Sequence, residues 1–178
     1  MSIRNLALIA VMAVLICVCS WLTIPYVVPF TMQTFAVLCA LLMLGGKRGL
    51  AAIGLYLLLG SVGLPVFSGF RGGLGHVLGP TGGYIVGFLL TGLSYLLLEQ
   101  ILPKQKYLVR VLLLELCQIP CYLLGTLWFV AVSRANGSAM GFFTALSLCV
   151  LPYLLPDLVK LLLAERIAAR VHKAIPQL

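Results

Sequence analysis

The chain has 178 residues, of which 62% are hydrophobic and 9% charged, with a net charge of +8. A soluble domain carries about 25% charged residues, so the polar residues here are too few to cover a water-facing surface. The charges sit in short clusters between apolar runs rather than along one polar stripe, which argues against nucleic acid as the partner and for an anionic bilayer surface.

A spanning helix needs about 20 apolar residues. The first candidate covers residues 6–22. A Pro-flanked stretch, IPYVVPFT, follows at 24–31. A short second span, 32–44, ends at the breaker Gly45-Gly46-Lys47-Arg48, and a third covers 50–62. A glycine-rich segment, 63–83, leads to the fourth span at 84–98, closed by EQILPKQK. The fifth covers 109–132 and ends in SRANGSA, where Asn136-Gly137 signals a turn. Pro152 and Pro156 interrupt 142–169. Because Pro suits the first turn of a helix, 142–151 reads as a separate short or re-entrant helix, with the sixth span running from near Pro156 to about Arg170.

Charge supports this count. With six spans, Arg4, Lys47, Arg48, Lys104, Lys106, Arg110, Arg166, Arg170 and Lys173 share one side, Arg71 and Arg134 the other, and Lys160 lies within a span. The positive-inside bias then places both termini in the cytoplasm. The expected fold is an all-α integral membrane protein, one membrane domain over 1–178, with about six transmembrane helices and re-entrant or loop segments outside. Irregular backbone at membrane depth survives only beside protein or a cavity, so 24–31 and 63–83 are candidates for a lid or pocket mouth. Cys17, Cys19, Cys39, Cys117, Cys121 and Cys149 all lie in apolar runs without His at metal-ligand spacing, and read as buried thiols. The first segment lacks the features of a cleaved signal peptide.

Asp157 and Lys160 are the sharpest functional signal. Each costs about 2.5 to 3.5 kcal/mol at the bilayer centre, and three residues apart they share one helix face. They form either an internal ion pair or a polar face on a cavity. The segment SGFRGGLGHVLGPTGGY offers backbone N–H groups, with His76 and Tyr84 as polar contacts, though it also reads as a tightly packed loop. It is no phosphate loop, because no Gly-Lys-Ser/Thr follows. Gln33 and Gln118 suit interhelical hydrogen bonds. Glu115 could pair with Arg110 or with a neighbouring helix. His172 reads as solvated in the basic tail. The chain carries no nucleophile-base set, no metal cluster and no ATP-binding motif.

VPFTMQTFAVL at 28–38, LYLLLGSVGLPVFSGFRGGLGHVLGPTGGY at 55–84, GTLWF at 125–129 and LPYLLPDLVK at 151–160 resemble the BioY family, the biotin-specific S components of energy-coupling-factor transporters. The resemblance covers nearly the whole chain. It implies a six-helix, non-enzymatic uptake subunit in the cell membrane, with no cofactor, that binds biotin outside. The partners it implies are a transmembrane coupling protein and two ATPase subunits. It places ligand contacts at Asp157, Lys160, Tyr84 and the preceding glycine-rich stretch, including Gly73, His76 and Gly83, with Gln33 also a candidate. Asp157 suits the ureido N–H groups, Lys160 suits the valerate carboxylate, and Phe67, Phe70, Tyr84 and Trp128 suit the ring. The resemblance implies a docking face on the first helix, where S components commonly carry Ala-x-x-x-Ala. Here Ala7, Ala10 and Ala13 recur every third residue instead. An S component for another small ligand, or a membrane-embedded enzyme, is the alternative.

Overall fold

The computed structural model describes residues 2–102, 107–138 and 140–175. Helix α1 is Ile3–Trp21, started by Ser2, whose hydroxyl accepts from the Asn5 N–H at 3.3 Å. Two short strands follow, β1 at Thr23–Ile24 and β2 at Phe30–Thr31, paired antiparallel. The chain is mostly helical, and in the expected non-helical segment 24–31 Pro25 and Pro29 bar a helix, so the chain reverses in a short ribbon. Helix α2 is Gln33–Leu44 and α3 is Gly46–Ser61. Gly45 alone separates them, at φ 78°, a conformation that favours glycine.

The glycine-rich connection contains one short helix, α4 at Leu74–Val77. Then come α5 at Gly82–Ile101 and α6 at Tyr107–Ala135, with Pro120 inside it. A short helix α7, Phe142–Cys149, appears where one was expected. Helix α8 is Leu151–Ala174. Its start corrects the expected one near Pro156. Pro152 occupies the first turn, where its missing N–H has no partner to lose, and Pro156 forfeits one backbone bond in a helix that packing otherwise holds.

Among the described residues, four helical stretches are long and apolar enough to cross a membrane: Ile3–Trp21, Gly82–Ile101, Val109–Ala135 and Phe142–Ala174. At 1.5 Å per residue, α2 and α3 reach only about 18 and 24 Å, against about 30 Å of hydrocarbon. The hairpin and the glycine-rich connection continue the chain beyond their ends. Helix α2 is the most enclosed element, with Ala36 through Leu42 all buried among α1, α3 and α8. Helices α5 and α6 form another close pair: a Cβ on Gly125 would meet the Tyr84 ring at 2.1 Å, and one on Gly83 the Trp128 Cβ at 2.3 Å. Small residues let these backbones approach. Val11, Val14, Leu97, Leu112, Leu123 and Val159 point outward and are exposed, as a lipid-facing surface requires.

One end of the bundle gathers charge. Arg48 donates to Asn5 Oδ1 at 3.3 Å, Glu99 accepts from the Gly46 N–H at 2.8 Å, and Arg110 pairs with Glu165. His172 lies 3.1 Å from the Leu42 carbonyl, so it is not simply solvated. Lys104 and Lys106 lie outside the described residues. The six cysteines are free and buried.

Candidate functional site

A cavity opens between α2, α5, α6 and α8, under the hairpin. About 760 Å³ of atom-free space, open solvent at its mouth included, lies between these elements. Helix periodicity builds it. Tyr153, Asp157 and Lys160 recur at four and three residues along α8, and Tyr84, Phe88 and Thr91 at four and three along α5. Helix α6 adds Gln118, Cys121 and Tyr122, and α2 adds Gln33, Thr34, Val37 and Leu38. Val28, Pro29 and Thr31 of the hairpin segment and Ser68 and Thr81 complete the mouth.

The polar groups form a connected set. Asp157 and Lys160 are 3% and 4% exposed, and Lys160 Nζ lies 2.7 Å from Asp157 Oδ1. The Tyr122 hydroxyl donates to the other carboxylate oxygen at 2.7 Å. Lys160 also donates to the Thr31 carbonyl at 2.8 Å and sits 4.1 Å from the centre of the Phe30 ring. Tyr153 donates to the Val28 carbonyl. The pair that faces the cavity thus also ties the hairpin to α8. The Tyr84 hydroxyl lies 3.1 Å from Thr126 Oγ1, and Gln33 Nε2 donates to the Tyr56 hydroxyl at 2.9 Å. The Thr91 hydroxyl is buried at the cavity wall without a hydrogen-bond partner among the described residues.

Of the residues singled out from sequence, Asp157, Lys160, Tyr84 and Gln33 line this cavity together. Gly73, His76, Gly83 and Phe67 lie off its lining. Phe67 is fully buried, edge-on to Tyr56 at 5.5 Å and stacked on His76 at 5.3 Å. Gly73, at φ 90°, donates its N–H to the Gly60 carbonyl at 2.7 Å and closes the loop. Gly83 packs under Trp128, whose indole N–H donates to the Gly79 carbonyl at 3.0 Å. Phe70 stacks on Trp21 at 5.0 Å, outside the cavity. Burial, reinforced by the Arg71 charge, lowers the basicity of His76. No group of three or more His, Cys, Asp or Glu that could hold a metal occurs among the described residues.

Glu115 accepts from Gln118 Nε2 at 2.9 Å, which corrects the expectation that it pairs with Arg110 or a neighbouring helix; Arg110 is engaged with Glu165 on α8. Sequence reading passed over Tyr122, Thr91 and Thr126. A signal for the α6 residues exists. Positions 115, 118, 122 and 126 are the polar face of an otherwise apolar run, spaced three, four and four residues apart.

The profile of the BioY family matches residues 1–177. The "Biotin transporter BioY" of Thermotoga maritima is 36% identical over 171 residues, 96% of each chain. The "Probable biotin transporter BioY" of Pyrococcus horikoshii is 40% identical over 149 residues, 82% of this chain and 81% of its own. A crystal structure described as the S-component for biotin from an ECF-type ABC transporter superposes with a TM-score of 0.83 at 28% identity, covering 96% of this chain and 92% of the other.

Proposed function

The chain belongs to the BioY family, and we propose on that premise that it is the substrate-binding subunit of an energy-coupling-factor transporter, taking up biotin through the cavity above. It is a membrane-embedded transport subunit rather than an enzyme. One observation carries the assignment of the site: a buried Asp157–Lys160 pair on the wall of an otherwise largely apolar cavity.

The chemistry of that pair selects the ligand end it holds. The two groups are 2.7 Å apart, so they meet the same end of an extended ligand. A cyclic urea presents an N–H donor beside a C=O acceptor, and an aspartate beside a lysine presents the complementary acceptor and donor. The Lys160 charge is already neutralised by Asp157, so a ligand carboxylate gains little from it. The ureido ring therefore sits on Asp157 and Lys160, and the valerate carboxylate stays hydrated toward the mouth. This replaces the expectation that Lys160 takes the carboxylate. Phe88, Ile85, Val37 and Leu38 offer the bicyclic ring an apolar wall.

The wider reading has six spans, both termini cytoplasmic and the mouth outside. It is supported by the clustering of Arg48, Arg110 and His172 at one end of the bundle and by Arg71 in the glycine-rich connection. Energy comes from a transmembrane coupling protein and two ATPases, since this chain has no nucleotide-binding motif. The test is direct: the protein is extracted from membranes, washed and denatured, and the small molecules released are weighed. Release of biotin in proportion to protein is the expected result; a different bound vitamin would replace biotin in this assignment.

A further inference from the structure

Glu115 is a carboxylate inside a long apolar helix, and among the described residues no cation lies within ion-pair distance of it. Its hydrogen-bond partner is Gln118, one turn along α6. Gln118 is 3% exposed and lines the cavity, whereas Glu115 does not. In its ionised form the Glu115 carboxylate only accepts hydrogen bonds. It therefore holds the Gln118 NH₂ group toward itself, at 2.9 Å, and leaves Oε1 as the atom that Gln118 offers to the cavity. Gln33 shows the contrast. Its amide meets the Tyr56 hydroxyl, which can donate or accept, so that contact does not fix which way the amide turns.

We propose that Glu115 is a positioning residue that fixes Gln118 as a hydrogen-bond acceptor and so selects ligands carrying a second N–H donor. The inference rests on the biotin reading and deepens it. The ureido group has two N–H groups. Asp157 takes one, and Gln118 Oε1, presented from α6 on the same cavity, takes the other. Asp157 is itself held by Tyr122, one turn beyond Gln118 on the same face of α6. A ligand with an oxygen or an alkylated nitrogen at the second position meets an acceptor that cannot turn away.

The test is a titration of three ligands, biotin and its two ureido N-methyl isomers, against the parent and Glu115→Gln. That variant keeps the shape of the side chain but can donate, which frees the Gln118 amide to reverse. Loss of one hydrogen bond in a buried site is worth about tenfold in affinity. Glu115→Gln is expected to weaken biotin and one isomer by about that factor. It is expected to leave the other isomer, already lacking the bond to Gln118, within about threefold of the parent. Glu115→Asp, which keeps the carboxylate, restores the parent pattern. Equal weakening of all three ligands, or no change in any, overturns the role of Glu115. Should Glu115→Gln prove unstable, Glu115→Leu, which also releases the Gln118 amide, carries the same test with the same expected pattern. If the parent binds none of the three, the biotin reading falls, and this inference with it.

Discussion

At the scale of single residues, the cavity depends on groups that hold other groups. Asp157 has one oxygen on Lys160 and the other on Tyr122. Removing the Tyr122 hydroxyl leaves a buried carboxylate oxygen without its donor, and hydrogen bonds to charged groups are worth about 1.5 to 3 kcal/mol. Tyr122→Phe is therefore expected to lower both thermal stability and biotin affinity, the latter by about tenfold or more. Unchanged affinity in a titration would show that Tyr122 does not orient Asp157. His76 supplies a pH effect away from the cavity. Its folded-state pKa lies below the unfolded value of about 6.5. As pH falls below that value the unfolded chain takes up a proton that the folded chain resists, so the contribution of His76 to stability is present above it and is lost on acidification. His76→Phe keeps the stack on Phe67 and removes a ring nitrogen that has no hydrogen-bond partner among the described residues. Melting curves in detergent should show a smaller loss on acidification for the variant than for the parent; an equal loss would remove His76 as the cause. Asp157 and Lys160 were legible in the sequence because charge in an apolar run is expensive. Tyr122 and Thr126 were not, because Tyr and Thr are ordinary residues in a span and only their register against Glu115 and Gln118 gives them away.

At the scale of elements, the short helix α2 makes the site. It ends about 12 Å short of a full crossing, and the cavity lies where it stops, capped by the hairpin that Tyr153 and Lys160 tie to α8. The breakers that bound α2 were readable, Gly45 on one side and Pro29 on the other. The ribbon between Thr23 and Thr31 was not, since two-residue strands leave no periodic signal. The start of α8 was misplaced for a related reason: one proline inside a helix costs a single backbone bond, and tertiary packing outweighs it. Helix α1 separates two roles that the sequence ran together. Ala7 and Ala10 are exposed, whereas Ala13 is 1% exposed and packs inside the chain. Ala10→Leu is expected to weaken assembly with a coupling protein and leave biotin binding intact. Ala13→Leu is expected to destabilise the subunit itself, by about 1 to 3 kcal/mol. Co-purification and melting curves distinguish them, and normal complex recovery with Ala10→Leu would exclude this face from docking.

At the scale of the whole molecule, alternating helices bring the described basic residues of 4, 48, 110 and 166–173 to one end and the mouth of the cavity to the other. That asymmetry was visible as charge clusters in the sequence; the cavity was not, because it arises from four elements far apart in the chain. A single cysteine at position 71, in a background free of the native six, should react with an impermeant reagent from the outside of intact cells. Labelling only from the cytoplasmic side would invert the molecule. On the proposed reading, one biotin sits in this cavity with its ureido ring on Asp157 and Lys160. Calorimetric titration of the purified subunit with biotin and with biotin amide, in the parent, Asp157→Asn and Lys160→Ala, tests it most directly. One biotin per chain is expected, with the amide bound nearly as well as the acid. A loss of about 2 to 5 kcal/mol is expected for both ligands when either partner of the buried pair is changed. Parent-like binding of biotin by Asp157→Asn, or a Lys160→Ala loss confined to the acid, would contradict that reading.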